Sequence, residues 1–215
     1  RSDGRYADGR HPTQVRYAQT PEEDVRRRDF TINGLLFDPV SEQVLDYVGG
    51  QVDIRARRIR TIGHPLERLN EDRLRMLRAV RFAARFGFSL DPPLVEAIRK
   101  LAPLIHDVSA ERVRDEILKI LTEGQARRGF ERLDETQLLQ EVLPEVKALQ
   151  GVEQPPEFHP EGDVWVHTLL MLEGLRAPTP TLALGVLLHD VGKPPTFTVR
   201  ERIRFYDDRV DECVD

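Results

Sequence analysis

The sequence predicts a mainly α-helical protein with a small α/β part near its N-terminal end. Over the first 62 residues, short apolar runs alternate with turn signals such as Asp38-Pro39 and Gly49-Gly50, which is typical of short strands. Beyond Gly63, apolar residues recur mostly with helical spacing. Of the 215 residues, 40% are apolar and 32% are charged, which indicates a packed core beneath a charged surface.

The α/β part consists of short elements. Residues 14–18 and 44–47 are candidate strands. Residues 58–62 alternate basic and apolar side chains, as a half-exposed strand does. The first long element is a single amphipathic helix predicted over residues 71–86.

The remaining chain is predicted to be helical. Ser109 is a suitable helix cap, with Glu111 in the first turn where an acid suits the helix dipole. Gln154-Pro155-Pro156 is a candidate linker. The further predicted helices are 91–105, one beginning after Ser109, others within 125–148, and then 164–175 and 181–188.

Composition limits the cellular context. A single cysteine, Cys213, excludes an internal disulfide framework and suits a reducing compartment. We therefore expect a cytoplasmic protein, and no apolar run approaches the ~20 residues of a membrane span. The polar N-terminus lacks the apolar core of a signal peptide. It also lacks an initiator methionine, so we expect a piece of a longer protein.

Charge is distributed unevenly behind a net value of −5. Residues 55–85 contain ten arginines and three acids, whereas residues 131–163 contain nine acids and two basic residues. The basic segment indicates either a surface that binds an anion or a set of solvated helix faces. Charge alone leaves both interpretations open.

The predicted helix 71–86 carries an unusual arginine face. At ~100° per residue, Glu71 shares one face with four arginines. Like charges at this spacing cost a helix about 0.2–0.5 kcal/mol per pair. Either acids from another segment pair with these arginines, or an external anion does. The arginines are Arg75, Arg78, Arg81 and Arg85.

A second basic run, Arg26-Arg27-Arg28, is followed by Asp29 and Asn33. Arginine can neutralise phosphate, and aspartate can accept a hydrogen bond from a ribose hydroxyl. Asp29 and Asn33 would share a face if the segment were helical. A helix cap by Asp29 with exposed arginines explains the segment equally well without a ligand.

The order of the motifs resembles the family of class II tRNA nucleotidyltransferases and bacterial poly(A) polymerases. The resemblance covers about residues 1–122 and implies the C-terminal portion of a polymerase-β-like nucleotidyltransferase head, with a helical neck and body. The segments that carry it are RRRDFTINGLLFDP, LDYVGGQVDIRARRIRTIG, NEDRLRMLRAVRFAARFGF and VSAERVRDEILKIL.

The resemblance implies roles for individual residues. Arg28 and Asp29 correspond to residues that contact the ribose and phosphates of the incoming nucleotide, and Asn33 to one that supports them. Asp72 and Arg75 correspond to the pair that reads the base of CTP or ATP, with Glu71 orienting Arg75. Two further arginines, which complete the pocket, correspond to Arg78 and Arg81.

The metal-binding part of the family pattern is absent from the sequence. The family uses a D-x-D pair that binds two Mg²⁺ ions, and two-metal catalysis needs such converging carboxylates. No D-x-D pair occurs in this chain, so we expect the catalytic carboxylates and Mg²⁺ upstream of residue 1. No catalytic residue is therefore assigned within the chain, which we expect to be inactive without them.

The C-terminal histidines resemble the HD phosphohydrolase superfamily. His167 precedes the pair His189-Asp190, and imidazole with carboxylate is a suitable ligand set for a divalent metal. The later aspartate of that pattern normally comes well after the pair, so we expect it to be missing or cut off in a sequence that ends at Asp215. Arg202–Tyr206 leads into aspartates where the pattern has a histidine. A helical remnant without metal explains these residues as well.

The resemblance divides the chain into a partial head (1–62), a neck (63–122), a body (123–153) and an HD-like segment (154–215). It implies addition of CCA, or part of it, to the tRNA 3′ end from CTP and ATP. Alternatives are poly(A) addition, a metal-dependent phosphohydrolase, and a non-catalytic RNA-binding fragment. The oligomeric state cannot be predicted.

Overall fold

The computed structural model describes residues 18–155, 157, 160–199 and 203–205. The backbone forms two compact units, Arg1–Leu101 and Ala102–Asp215. The described elements are mostly helices with three two-stranded sheets, so the predicted fold class is confirmed. Except for Ala18, the candidate strand 14–18 lies outside the described residues.

The N-terminal unit begins with short elements joined by tight turns. The two strands of its hairpin are antiparallel, with Leu35 opposite Asp46 and Asp38 opposite Gln43. Asp46 accepts hydrogen bonds from the backbone N–H groups at the start of the next helix, including that of Gly50 at 2.9 Å. The elements are α1 (Pro21–Val25), a 3₁₀ turn (Thr31–Asn33), β1 (Leu35–Asp38), β2 (Gln43–Asp46), α2 (Gly50–Arg55) and β3 (Arg58–Ile59).

The predicted helix 71–86 is wrong as a single element, because the chain breaks at Asp72. Here φ is −152° and ψ is 105°, and the carboxylate accepts a hydrogen bond from the Leu74 N–H at 3.1 Å. Aspartate side chains compete with helical hydrogen bonds in this way. The segment therefore forms α3 (Pro65–Glu71) and α4 (Arg75–Phe86).

Helix α4 organises the core of the N-terminal unit. Met76, Leu77 and Val80 are fully buried, and α4 packs against β3 and β4 (Ser89–Leu90), which pair in parallel. Helix α3 packs against α5 (Pro92–Leu101). This packing fixes the polar face of α4 relative to the segment around Asp29.

The described part of the C-terminal unit consists mainly of helices, with one two-stranded hairpin near its end. The predicted helix 91–105 ends earlier, since α5 stops at Leu101 and residues Ala102–Asp107 form a 3₁₀ helix. Gln154 of the candidate linker is buried, and its N–H donates to the Gly162 carbonyl at 2.9 Å. The helices are α6 (Ala110–Thr122), α7 (Ala126–Glu135), α8 (Leu139–Val142), α9 (Pro144–Lys147), α10 (Val164–Gly174), α11 (Pro180–Leu188) and α12 (Lys193–Thr196), followed by β5 (Phe197–Val199) and β6 (Ile203–Phe205).

Several helix starts follow the expected chemistry. Asp163 and Thr179 cap α10 and α11 by accepting backbone hydrogen bonds from Val166 and Leu182. Ser109 precedes α6 as predicted, but its side chain makes no capping hydrogen bond. Across the described part of the chain, none of the helices combines the length and the apolar character needed to cross a membrane.

Candidate functional site

An open cavity of about 520 Å³ lies in the N-terminal unit. It brings together the basic run before Asp29 and the start of α4, which are more than 40 residues apart in sequence. Six of the eight residues predicted to bind nucleotide line it. The lining residues are Arg28, Asp29, Asn33, Asp72, Arg75, Arg78 and Phe82.

Asp29 is the centre of the hydrogen-bond network. It is 8% exposed, and its carboxylate accepts bonds from the Phe30 N–H, from Asn33 Nδ2 and from Arg78 Nε at 2.8–2.9 Å. Burial raises the pKa of this carboxyl, but the bonds from Asn33 and Arg78 outweigh burial and hold the pKa below its ordinary value. Asp29 is therefore ionised at neutral pH and fixes the guanidinium of Arg78.

Arg28 is held at the cavity by an acid and a carbonyl. Its guanidinium donates to Asp24 at 2.8 Å and to the backbone carbonyl of Asn33 at 2.8 Å. Arg26 and Arg27 also pair with acids four residues earlier, on α1. The basic run is thus largely compensated locally, and among these three arginines only Arg28 lines the cavity.

Arg75 is fixed by several partners. Its guanidinium donates to Glu71 at 2.7 Å and to the Arg68 carbonyl at 2.8 Å, and its side chain is only 13% exposed. Glu71 also accepts from Arg68. These contacts orient Arg75 before any ligand binds. Glu71 thus contacts the residue that it is predicted to orient, although it ends α3 and does not share a helix with Arg75. Its role toward a nucleotide stays a prediction.

The predicted arginine face divides into two environments. Arg78 reaches the cavity and pairs with Asp29, so an acid from another segment supplies its partner. Arg81 is buried, lies 4.4 Å from the centre of the Phe82 ring, and is not among the described residues lining the cavity. Arg81 is expected from the sequence to complete the pocket together with Arg78. In the structure its side chain is buried and does not line the cavity.

Two functional features were missed by the sequence interpretation. Phe82 contributes an aromatic wall to the cavity, and its position four residues after Arg78 is the only signal that could have indicated it. Asp53 is fully buried and accepts a hydrogen bond from Thr31 Oγ1 at 2.7 Å and from Arg58 and Arg60 at 2.7–2.8 Å. Asp53 thereby links the 3₁₀ turn Thr31–Asn33 to Arg58 and Arg60.

The electrostatics of Asp53 match its structural role. Burial raises the pKa of this carboxyl, but hydrogen bonds from Thr31, Arg58 and Arg60 outweigh it and hold the pKa below its ordinary value. An ionised Asp53 keeps both arginines in place. This cluster is joined to the cavity through the 3₁₀ turn, because Thr31 and the cavity residue Asn33 both belong to it.

The cavity combines fixed charges of both signs with an aromatic surface. Three guanidinium groups face two carboxylates, one of which already pairs with Arg78. Guanidinium groups bind phosphate oxygens and planar acceptors, and an aromatic ring provides a stacking surface. The site is suited to an anionic ligand with a planar group.

The three candidate metal ligands also meet, in the C-terminal unit. One nitrogen or oxygen atom of each of His167, His189 and Asp190 lies within 4.8 Å of the others. His167 Nδ1 lies 2.5 Å from Glu161, and His189 Nδ1 donates to the Val186 carbonyl at 2.7 Å. The other ring nitrogen of His189, Nε2, lies 3.1 Å from Asp190. Asp190 also accepts from Lys193 at 2.8 Å. The ligand set fits a divalent metal, with carboxylate and carbonyl partners of the kind that orient ligating histidines.

The small α/β part, the helices that follow it and the arginine-rich pocket define the class of nucleotidyltransferase folds. The family model of the poly A polymerase head domain matches residues 1–60. A model described as the probable RNA and SrmB-binding site of polymerase A matches residues 87–150. The chain belongs to the family of CCA-adding enzymes and bacterial poly(A) polymerases.

Individual relatives agree with this membership. A CCA-adding enzyme of Bacillus subtilis (strain 168) is 43% identical over 66% of the chain and 36% of the relative. A multifunctional CCA protein of Halorhodospira halophila is 41% identical over 82% of the chain and 43% of the relative. The chain thus spans roughly two fifths of the length of these relatives.

A solved structure shows the same fold. The Bacillus stearothermophilus CCA-adding enzyme, crystallised in complex with CTP, superposes with a TM-score of 0.58 and is 32% identical. The match covers 83% of this chain and 46% of that enzyme. The similarity therefore extends across most of the chain.

Proposed function

We propose that this chain supplies the nucleotide-binding pocket of an RNA nucleotidyltransferase that adds CCA, or part of it, to tRNA 3′ ends from CTP and ATP. The observation that carries the proposal is the cavity in which Asp72 and Arg75 lie beside Arg28, Arg78 and Asp29. Relatives named as CCA-adding enzymes support the substrate class.

The charges of the side chains in the cavity indicate where the triphosphate and the base of the nucleotide would bind. Arg28 and Arg78 would contact the triphosphate and ribose, because a guanidinium can bind two phosphate oxygens at once. Asp29 and Asn33 would hold these groups in place through the network that already joins them. Phe82 would contact the planar base or the ribose.

The pair Asp72 and Arg75 accounts for the choice of base. Cytosine and adenine both carry an exocyclic amino group that donates a hydrogen bond, whereas uracil and guanine carry a carbonyl oxygen there. A carboxylate accepts from the amino group and repels the carbonyl oxygen. Arginine at the neighbouring position donates to a ring nitrogen acceptor. One amino-acid pair can therefore accept CTP and ATP and reject UTP and GTP.

The proposal is tested with the complete gene product and a tRNA that lacks its 3′ CCA. Incorporation from CTP and ATP, abolished by chelation of Mg²⁺, is the expected result. Absence of incorporation by the folded, complete protein would contradict the proposal. The proposal assigns nucleotide binding and base selection to this chain, and it assigns no chemical step to its residues.

Poly(A) addition is distinguished by product length. An enzyme that adds CCA stops after a few nucleotides when CTP and ATP are both present, whereas a poly(A) polymerase extends RNA with ATP alone. Long products with ATP alone would favour the poly(A) alternative.

A second activity is supported by the cluster of His167, His189 and Asp190. These residues would hold a divalent metal that supplies an activated water for phosphoester hydrolysis. Binding of Mn²⁺ or Ni²⁺, measured by calorimetry, is expected in the wild type and is expected to be lost in His189→Ala. The control His106→Ala changes an exposed histidine elsewhere in the same unit. Equal metal binding by both variants would exclude this site.

A further inference from the structure

Four aromatic rings form a row along helix α4 and its end. Phe30 meets the edge of Phe82, and Phe82 stacks on Phe86 with nearly parallel rings, 6° apart and 5.9 Å between centres. Phe86 in turn contacts Phe88 at 5.8 Å. The row begins in the core, passes the cavity wall at Phe82 and reaches the surface at Phe86.

Phe86 is an exposed aromatic residue at the end of a helix whose other apolar side chains are buried. It is 45% exposed, although Phe82 one turn earlier is almost buried. The guanidinium of Arg85 lies 5.6 Å from the centre of the Phe86 ring. Exposed aromatic rings beside arginine are the features with which proteins bind the bases of single-stranded nucleic acid.

We propose that Phe86 is a stacking platform for the 3′-terminal base of the RNA that receives the nucleotide. This inference rests on the proposed function. The cavity beside Phe82 would be occupied by the incoming nucleotide, so the RNA end must approach from its rim. One helical turn separates Phe82 from Phe86, about 5–6 Å, which is close to the span of one nucleotide.

Two further observations favour RNA as the occupant. The segment matched by the RNA-binding family model begins at residue 87, directly after Phe86. Arg85 lies beside Phe86 on the same helix, and its charge suits the phosphate on the 5′ side of a 3′-terminal base stacked there. A base stacked on Phe86 would be placed next to the nucleotide in the cavity.

The test compares three substitutions at one position in the complete gene product. Phe86→Ala and Phe86→Leu are expected to raise the KM for a tRNA minihelix about fivefold to hundredfold, with the KM for CTP unchanged. Phe86→Trp is expected to retain wild-type KM. A minihelix with 2-aminopurine at its 3′ end should lose fluorescence when bound to the wild type and less when bound to Phe86→Ala.

Phe37→Ala is the matched control, because Phe37 is 63% exposed on β1 in the same unit and does not line the cavity. Its KM for the minihelix should equal that of the wild type. An unchanged minihelix KM in Phe86→Ala, or full function of Phe86→Leu, would overturn the stacking assignment. Incorporation would persist in those cases, so the proposed function would stand; loss of incorporation by the wild type would contradict the function itself.

Discussion

At the scale of single residues, the cavity depends on carboxylates that hold arginines before any ligand arrives. Asp29 fixes Arg78, and Glu71 fixes Arg75. Arginine side chains that are already oriented lose less entropy when they bind. The same contacts mean that these residues contribute to stability as well as to binding.

Asp29→Asn is expected to lower the free energy of unfolding by about 1–3 kcal/mol, because Arg78 loses a charged partner in a partly buried position. Urea denaturation followed by circular dichroism measures the change. Asp24→Asn is the control, since Asp24 forms an exposed pair with Arg28 and its loss should cost no more than about 1 kcal/mol. Equal losses in the two variants would contradict the special role of Asp29.

Acid is expected to destabilise the N-terminal unit through Asp53. The pKa of this carboxyl is lowered in the folded chain, so the unfolded chain binds the proton first as the pH falls. The stabilisation is present above the ordinary pKa of 3.8 and is lost as the pH falls through the lowered value. At neutral pH the free energy of unfolding of Asp53→Asn should therefore be lower than that of the wild type. The difference between the two proteins should become smaller below about pH 5. A gap that stays constant in urea titrations down to acid pH would contradict this assignment.

At the scale of elements, the break between α3 and α4 shapes the site. A continuous helix would hold Asp72 within its hydrogen-bond ladder, whereas the break places Asp72 at the cavity with its carboxylate bonded to the Leu74 N–H. Asp72 therefore has two separable roles: its carboxylate accepts a hydrogen bond in the turn before α4, and it lines the cavity.

Substitutions at Asp72 should separate these roles. Asp72→Ala removes the acceptor and should lower the free energy of unfolding by about 0.5–2 kcal/mol. Asp72→Asn keeps an acceptor oxygen and should be nearly as stable as the wild type. Its amide can also donate to a carbonyl oxygen, so discrimination of CTP against UTP should fall by roughly tenfold to hundredfold. The ratio of kcat/KM values measures discrimination, and unchanged discrimination in Asp72→Asn would exclude base reading by this residue.

At the scale of the whole molecule, the uneven charge follows the two units. The arginine-rich residues 55–85 belong to the N-terminal unit, and the acid-rich residues 131–163 belong to the C-terminal unit. The net charge of −5 therefore hides an arginine-rich segment that contributes Arg75 and Arg78 to the cavity. All residues that line the cavity also lie in the N-terminal unit.

Nucleotide binding should consequently protect one unit. With saturating CTP, amide hydrogen exchange is expected to slow around Asp29–Asn33 and in the first turns of α4, because ligand binding raises the free energy of local opening. Exchange in α7 to α9 should not change. Mass spectrometry of the peptides measures both regions, and equal protection throughout the chain would contradict a site confined to the N-terminal unit.

The sequence by itself determined the fold class, most helices and the family. Helical spacing of apolar residues and capping residues act locally, so α4, α6, α10 and α11 could be predicted within a few residues. The motif order singled out six of the seven residues that line the cavity before their positions were known.

Only the tertiary structure decided which of these residues line the cavity. Arg78 and Arg81 are equivalent in charge and both lie over the Phe82 ring, yet Arg78 pairs with Asp29 and lines the cavity, whereas Arg81 is buried and does not line it. The support from Asp53 and the exposure of Phe86 likewise depend on contacts or packing beyond local spacing, whereas the break at Asp72 is stabilised by a hydrogen bond to a residue two positions away. Sequence spacing gives the direction of a side chain around its own helix, but packing between distant segments determines whether that direction leads to core, cavity or solvent.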